Sequence, residues 1–180
     1  MKIGIDISQT AYQNTGVANY LSKLIHSLLE TDKSNDYVFF FSSLRKKIPK
    51  QLREFIVTTG GNRVTIKSYP FPPLFYEFFW NKLHILSIER FIGNTDIFIT
   101  SDWSEPPVLK TKKATIIYDL IVYKYPHETD QRIVKAQRRK LYWVKKESDL
   151  IFCISKSTMQ DVIKLLHIDN NKLKVIYPGL

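Results

Sequence analysis

Short runs of β-branched and aromatic residues alternate with amphipathic stretches along the whole chain, and this alternation constrains the fold more than any other feature. The runs are continuous in apolar character, which is typical of strands that are buried on both faces of a parallel sheet. The predicted strands cover residues 2–7, 37–42, 63–69, 96–102, 113–119, 149–155 and 172–179. The sequence therefore predicts an α/β fold, with a Rossmann-like parallel sheet and helices on both faces.

The stretches between these runs have helical periodicity, most clearly over residues 17–30. The apolar residues there form a single stripe along one helix face, which contains Val17, Leu21, Leu24, Ile25 and Leu28. Asn14 or Thr15 can cap the start of this helix. Further helices are predicted over residues 45–56, 70–93, 130–146 and 155–168. The 70–93 stretch begins with prolines and ends in glycine, which is a normal frame for one helix.

The length and the lone cysteine limit the class of protein. A chain of 180 residues with 44% hydrophobic residues is enough for one domain with its own core. Cys153 cannot form an internal disulfide, and its apolar neighbours indicate a buried thiol in a reducing compartment. The opening stretch MKIGIDIS does not resemble a secretory signal, and no run reaches the ~18 apolar residues of a membrane span. A cytoplasmic location is therefore expected.

The chain is strongly basic, with a formal net charge of +10. A basic surface attracts phosphates on nucleic acid, on anionic lipid or on a nucleotide substrate, and charge alone does not choose among them. The cations of the predicted 130–146 helix form either a solvated face or a footprint for lipid or nucleic-acid phosphate. They are Arg132, Lys135, Arg138, Arg139, Lys140, Lys145 and Lys146. The aromatic 71–86 stretch is either a core helix or an interfacial helix on a bilayer.

Polar residues follow several of the predicted strands, at the edge of the sheet where ligands bind in doubly wound folds. They lie at residues 6–8, 101–103, 118–119 and 155–157. Tyr118 and Asp119 interrupt an apolar run, which is expected if the fifth strand ends there and the pair faces a crevice. Asp119 has an alternative role, which is only to accept hydrogen bonds from loop amides.

Gly16 opens the first predicted helix, where a glycine lets the backbone come close to a ligand. The free N–H groups of residues 17–19 could then hold an anion. The surrounding QNTGVANY is not the G-x-G-x-x-G dinucleotide motif, and the chain has no P-loop motif and no G-x-S-x-G. The histidines are isolated from one another in the sequence, so no metal site is predicted.

Four stretches, in this order, resemble the N-terminal domain of GT-B-fold, retaining glycosyltransferases, in the group that includes bacterial mannosyl- and rhamnosyltransferases. The first is similar to that family's opening strand, glycine-containing loop and helix: MKIGIDISQTAYQNTGVANYLSKLI. The second is similar to its central strand pair with a His-Asp-Leu motif and a downstream proline: TSDWSEPPVLKTKKATIIYDLIVYKYP. The others resemble a strand before a Ser-capped helix and the strand that closes the domain: KKESDLIFCISKST and NNKLKVIYPGL. The resemblance implies one half of a GT-B fold over the full length.

The resemblance also implies roles for individual residues. The candidate catalytic residues are Tyr118 and Asp119, which would lie near the reacting sugar and the acceptor. The candidate donor- or acceptor-binding residues are Gly16, Val17, Asp102, Trp103, Ser155 and Ser157. Gly16 would face the donor diphosphate, and the two serines would line the crevice or cap their helix. The chain departs from the family at Tyr118, where the family usually has His, and a phenol with a pKa near ~10 is a poor base.

By resemblance, the chain is expected to be the acceptor-side domain of an enzyme of polysaccharide biosynthesis. That enzyme would transfer a sugar, with retention and without a metal or other cofactor, from a nucleotide-diphosphate sugar to a glycan or lipid-linked acceptor. Its C-terminal donor-binding domain would be absent from these 180 residues, and this domain alone would transfer sugar poorly or not at all. The basic and aromatic surface would suit peripheral contact with an anionic membrane.

Two other classes of function stay open on the sequence. One is a stand-alone sugar- or nucleotide-binding α/β module that is complete at this length. The other is a nucleic-acid-binding domain, which only the basic charge supports, and no specific nucleic-acid partner is expected.

Overall fold

A computed structural model, which describes residues 1–178, contains one seven-stranded sheet in which all neighbouring strands are parallel. The strands are β1 (Lys2–Asp6), β2 (Asp36–Ser42), β3 (Val64–Tyr69), β4 (Ile97–Thr100), β5 (Lys112–Ile117), β6 (Leu150–Cys153) and β7 (Leu173–Val175). All seven predicted strands are confirmed, mostly in shorter form. The last was predicted to reach Gly179, which lies outside the described residues.

The strand order is β3-β2-β1-β4-β5-β6-β7. Strands β2 and β3 therefore lie on one side of β1, and strands β4 to β7 lie on the other. The reversal lies between β1 and β4, whose carboxyl ends are neighbours. In open parallel sheets such a switch point leaves a crevice beyond the strand ends, and ligands bind there. The fold is Rossmann-like α/β, as predicted, and is consistent with one half of a GT-B fold.

The apolar runs are continuous because successive side chains enter cores on opposite faces of the sheet. On β2, Tyr37, Phe39 and Phe41 pack with the cluster that contains Leu21 and Ile25, whereas Val38 and Phe40 pack on the other face. This arrangement explains why the YVFFFS run shows no polar alternation. Burial on both faces fixes the register of the strand, because a slip by one residue would exchange the two cores.

The helices lie in the connections between strands. Their bounds are α1 (Gly16–Thr31), α2 (Lys50–Gly60), α3 (Pro73–Tyr76, continued by a wider π turn over Glu77–Lys82), α4 (Glu89–Ile92), α5 (Ile121–Lys124), α6 (Gln131–Glu147) and α7 (Lys156–Asp161, with a π turn over Val162–Leu166). Thr15 caps α1 by accepting a hydrogen bond from the N–H of Ala18 at 3.2 Å, as one of the two predicted caps. Asp130 caps α6 in the same way.

The prediction of a single helix over residues 70–93 is wrong. Helical structure stops at residue 82 and resumes only at α4, because His84 and Leu86 have positive φ angles of 53° and 65°. Tertiary contacts hold this break: the His84 ring stacks on Trp143 with ring centroids 3.5 Å apart. Its two nitrogens lie 2.9 Å from the Trp80 carbonyl oxygen and 2.8 Å from a Glu147 carboxylate oxygen. Local periodicity cannot reveal such long-range contacts.

The lone thiol is in the core, as predicted. Cys153 has no exposed surface at the end of β6, and burial raises its pKa to about 11. The thiol therefore stays protonated at neutral pH and behaves as a small apolar side chain.

Candidate active site

The carboxyl ends of β1, β4 and β5 place three predicted polar stretches side by side. Asp6 ends β1, Ser101 and Asp102 follow β4, and Tyr118 follows β5. Since these strands are direct neighbours in a parallel sheet, their ends meet at the same edge. Three of the four polar stretches that were predicted to converge therefore lie side by side at one edge of the sheet.

A cleft of about 170 Å³ opens at this edge, between the strand ends and α6. Of the predicted site residues, it is lined by Val17, Asp102, Trp103, Tyr118 and Asp119. The cleft is further lined by residues 116–117, 121–122, 129, 133, 137 and 140–141, many of them on α6. Five of the eight candidate residues thus line one concave surface. Helix α6 lines it too, although the sequence did not predict that this helix is part of the site.

Asp6 lies buried near the cleft residues Asp102 and Lys140. Its Oδ1 accepts hydrogen bonds from the Ser8 backbone N–H at 2.9 Å and the Ser8 hydroxyl at 2.6 Å, and its Oδ2 accepts one from Ser104 at 3.2 Å. Burial raises the pKa of Asp6, although the hydrogen bonds and the Lys140 charge oppose this rise. The Asp6 carboxyl therefore joins β1 to the loop after β4 and fixes the cleft walls relative to each other.

Lys140 is the residue whose burial differs most from the prediction made from the sequence. It was grouped with the solvated or phosphate-facing cations of α6, yet only 2% of it is exposed and it lines the cleft. Its Nζ donates a hydrogen bond of 2.6 Å to the Ser101 carbonyl oxygen. Burial lowers the pKa of Lys140, against the attraction of Glu105, Asp102 and Asp6. The signal was in the spacing, because Lys140 falls among Val134, Leu141 and Val144 on the buried face.

Asp102 is a carboxylate in the cleft wall. Gln137, a second residue of α6 that the sequence analysis did not single out, donates to the Asp102 carbonyl oxygen at 3.1 Å and approaches its Oδ1 at 3.4 Å. Burial raises the pKa of Asp102; Lys140 opposes the rise, and the neighbouring Asp119 and Asp6 add to it. Perturbed acids and amines that share a cleft are typical of sites that bind or transfer protons.

Tyr118 is nearly buried at the end of β5. Its hydroxyl lies 3.2 Å from the Ser101 hydroxyl, and its ring contacts Tyr20 edge-on with centroids 5.4 Å apart. Burial raises the pKa of Tyr118 well above its ordinary value, so the phenol stays neutral at physiological pH. It can donate or accept a hydrogen bond in the cleft, but it cannot replace an imidazole as a base.

Asp119 accepts a hydrogen bond from a loop amide and also lines the cleft, so both of the predicted alternatives are present. Its Oδ1 accepts a hydrogen bond from the backbone N–H of Ile121 at 3.0 Å, which holds the start of α5. The residue is also exposed and lines the cleft. A carboxylate held in this way is available to a ligand without a large change of conformation.

Gly16 is the first residue of α1 and is exposed beside the cleft-lining Val17. A Cβ at this position would meet no atom within 4 Å, so neither packing nor backbone strain within the chain requires glycine there. The open space above Gly16 is compatible with close approach of a ligand to the first amides of α1.

The two candidate serines lie outside the cleft lining. Ser155 caps α7 by accepting a hydrogen bond of 3.0 Å from the Thr158 N–H, which is one of the two roles considered for it. Ser157 is exposed in the first turn of the same helix. Their link to the cleft is indirect, because the Thr158 hydroxyl donates a hydrogen bond of 3.2 Å to the Tyr118 carbonyl oxygen.

Comparison with known families decides what kind of domain carries this cleft. The family model described as Glycosyltransferase Family 4 matches residues 15–180. The chain belongs to Glycosyltransferase Family 4. A search of curated proteins finds no match. The match extends from the residue that caps α1 over all the residues that line the cleft. Membership implies, in general terms, that the domain binds a sugar donor and an acceptor.

The described part of this glycosyltransferase domain has no group of three or more His, Cys, Asp or Glu side chains that could hold a metal ion. Among residues 1–178, no helix combines the length and the apolar character that are needed to cross a bilayer.

Proposed function

We propose that this chain is the acceptor-side domain of a nucleotide-sugar-dependent, retaining hexosyltransferase, and that sugar transfer takes place at the cleft described above. The donor sugar would lie between this domain and a C-terminal donor-binding domain. The acceptor would be a glycan or a lipid-linked glycan, as in polysaccharide biosynthesis. On this proposal, the 180-residue domain alone transfers sugar poorly or not at all.

The observation that carries this proposal is the convergence of Val17, Asp102, Trp103, Tyr118 and Asp119 on one cleft in a family 4 domain. The cleft is polar on the side of the strand ends and apolar where Ile121 and Leu141 line it. Trp103 is 39% exposed and offers a flat face on which a sugar ring can pack. This combination suits a sugar that is held between carboxylates and an aromatic ring.

The proposed reaction exchanges one bond at the anomeric carbon for another. The acceptor hydroxyl oxygen forms a bond to that carbon while the bond from the carbon to the donor diphosphate breaks, and the diphosphate leaves with the electron pair. We propose that the amides after Gly16 offset charge on the diphosphate and that the exposed carboxylate of Asp119 takes up the hydroxyl proton. Tyr118, as a neutral phenol, would orient the acceptor, and Asp102 and Trp103 would bind it.

We propose an indirect contribution from the two candidate serines. Ser155 fixes the start of α7, and Thr158 of that helix holds the Tyr118 carbonyl group. Ser157, exposed in the same turn, would contact substrate only once the second domain closes on the cleft.

The experiment measures release of nucleoside diphosphate from a panel of nucleotide sugars, with acceptor lipids and glycans extracted from the source cells. The full-length gene product is compared with its Asp119→Asn variant. This change preserves an oxygen for the Ile121 N–H but removes the charge. Asp36→Asn, at the opposite edge of the sheet, is the matched control.

We expect the rate of diphosphate release to fall by about 100-fold or more in Asp119→Asn and not to fall in the control. Equal rates in both variants would remove Asp119 from the mechanism, and no consumption of any donor would contradict sugar transfer.

We also propose that the domain contacts an anionic membrane surface through the α3 region. Leu74 is 78% exposed and Phe78, one turn later, is 45% exposed, and the Lys82 ammonium lies 5.7 Å from the Phe78 ring centroid. Apolar side chains flanked by a cation are typical of interfacial helices. Co-sedimentation with liposomes should rise with anionic lipid content and fall in the Phe78→Ser variant. Sedimentation that is indifferent to both changes would contradict this contact.

A further inference from the structure

A second and larger pocket lies at the same edge of the sheet as the cleft, beyond the carboxyl ends of β2 and β3. Its volume is about 560 Å³, and none of its lining residues belongs to the cleft lining. The walls are the loop over residues 43–48, the first turn of α2, and residues 68–70 at the carboxyl end of β3. This volume is within the range of small-molecule sites in proteins.

The lining of this basic pocket is positively charged and contains no acidic residue. The cations are Arg45, Lys46, Lys47, Lys50 and Arg53, and all are exposed. Within this set, Lys50 forms an ion pair with Glu54 at 3.8 Å, and because 89% and 63% of the two side chains are exposed, solvent screens the pair strongly. Cations that surround one concavity repel one another, and an anion that enters it removes this repulsion.

The loop that presents these cations is anchored at several points. Ile48 is buried in the main core, and the Ser43 N–H donates a hydrogen bond of 3.2 Å to the Tyr69 carbonyl oxygen. The Lys46 N–H donates to the Ser43 hydroxyl at 3.0 Å, and the Lys46 ammonium lies 4.0 Å from the Tyr12 ring centroid. The pocket is therefore a formed concavity with an ordered rim, which lowers the entropy cost of binding.

We propose that the basic pocket binds a phosphate or diphosphate group, and, if the proposed function holds, that this group belongs to the acceptor. Guanidinium groups bind phosphate oxygens in pairs, and ammonium groups add charge-assisted hydrogen bonds. A carboxylate group carries one negative charge, whereas a diphosphate carries several. A diphosphate therefore neutralises more of the five positive charges of the pocket. A phosphoryl group is therefore the ligand chemistry that the lining fits.

The position of the pocket assigns it to the acceptor. The β1–α1 loop separates the two sites: Tyr12 of this loop contacts Lys46 of the basic pocket, and Val17, which follows Gly16, lines the cleft. The donor diphosphate is proposed to lie at the amides after Gly16, so a phosphoryl group in the basic pocket is a different one. A lipid-linked acceptor whose sugar reaches the cleft can place its phosphate on the other side of this loop.

The test is titration of the full 180-residue chain with inorganic pyrophosphate by calorimetry, at two ionic strengths. The variant Arg45→Gln/Lys47→Gln removes two cations from the pocket, and Lys2→Gln/Lys112→Gln removes the same charge from the amino-terminal edge of the sheet. We expect saturable binding that weakens with salt, with an affinity loss of about tenfold or more in the pocket variant and at most about threefold in the control. Equal losses in both variants, or no saturable binding, would overturn the proposal.

Two further experiments complete the test. The first distinguishes a lipid phosphate from a soluble one, and the second distinguishes binding in the basic pocket from binding in the cleft. Flotation with phosphatidylcholine vesicles, with and without phosphatidic acid, shows whether a lipid phosphate enters the pocket. Pocket-dependent binding of these vesicles assigns a lipid source, and pyrophosphate binding without vesicle binding assigns a soluble one. The Asp119→Asn variant should bind pyrophosphate as the unaltered chain does. Tighter binding in that variant, whose cleft has one negative charge fewer, would place the anion in the cleft and overturn the assignment to the basic pocket.

Discussion

At the residue scale, the cleft is built around one buried amine with carboxylates on several sides. Burial lowers the pKa of Lys140 and raises the pKa values of Asp102 and Asp6. Desolvation therefore brings the pKa of the amine and those of the carboxyl groups closer together. The proton balance among them depends on what occupies the cleft, because a ligand changes both solvation and charge. This dependence is the physical basis for proposing that the chemistry takes place here rather than at a solvated ion pair.

Replacement of Tyr118 by phenylalanine tests the role of the phenol. The Tyr118→Phe variant loses the contact with the Ser101 hydroxyl, which should cost about 0.5–1.5 kcal/mol of unfolding free energy. We expect kcat/KM to fall by about tenfold, which corresponds to one lost hydrogen bond in the transition state. The shape of the pH profile between neutral and mildly alkaline pH should not change, because burial raises the pKa of Tyr118 and keeps the phenol protonated.

Ser101→Ala is the matched control for this variant, since it removes the same contact and keeps the phenol. If the alkaline limb of the profile moves in Tyr118→Phe but not in Ser101→Ala, Tyr118 acts as a base and its assignment as an orienting donor is incorrect. Unaltered kinetics in both variants would remove Tyr118 from the reaction.

At the element scale, α6 and the α3–α4 region show what sequence patterns do and do not reveal. The bounds of α6 follow from its periodicity and from its Asp130 cap, and they were predicted to within one residue. The burial of Lys140 on that helix was not predicted, because a charged side chain among apolar neighbours is normally assigned to the solvated face. The break at His84 was missed because its contacts come from α6, far along the chain.

The short helix α4 is tied to the β4–β5 connection by one carboxylate, which gives a prediction for stability. The Glu89 Oε1 accepts hydrogen bonds from the N–H groups of Leu109, Lys110 and Thr111 at 2.8, 3.2 and 3.2 Å. Burial alone would raise the pKa of Glu89, but the backbone hydrogen bonds outweigh it and lower the pKa to about 2.

The sign of the pH effect follows from this lowered pKa. The stability that Glu89 contributes is present above its ordinary pKa of 4.5 and is lost as the pH falls toward 2. Glu89→Gln should therefore lower the free energy of unfolding at neutral pH by about 1–2 kcal/mol and flatten its dependence in that acid range. Denaturant unfolding at several pH values measures this, with the exposed Glu54→Gln as control. An acid transition that remains as steep in Glu89→Gln as in the unaltered chain would contradict this linkage.

At the scale of the whole molecule, the sheet places two separate concave sites on the same edge. Their common location was predictable, since parallel strands direct all their carboxyl-terminal loops to one side and the order of elements indicated parallel pairing. The shapes of the two sites were not predictable. The cleft depends on the packing of α6 against the strand ends, and the basic pocket on how residues 43–48 fold over β2 and β3.

The distribution of charge over the molecule gives the net charge of +10 a more specific meaning. Cations from one loop and one helix start surround the basic pocket, whereas the cleft contains a buried amine among carboxylates. On the two proposals above, a diphosphate would enter the first of these environments and a sugar hydroxyl the second. The division supports a domain that holds an acceptor by its phosphate and presents its sugar to the reacting centre.

The most direct test of the central claim, that sugar transfer takes place at the cleft, is a map of where a nucleotide sugar binds. Amide chemical shifts of the isotopically labelled chain are recorded during titration with nucleotide-diphosphate sugars. We expect the largest changes at Gly16, Val17, Asp102, Trp103, Tyr118 and Asp119, with weak affinity, because the donor is proposed to be held mainly by a second domain. Changes confined to the basic pocket, or to the amino-terminal edge near Lys2 and Lys112, would contradict the claim.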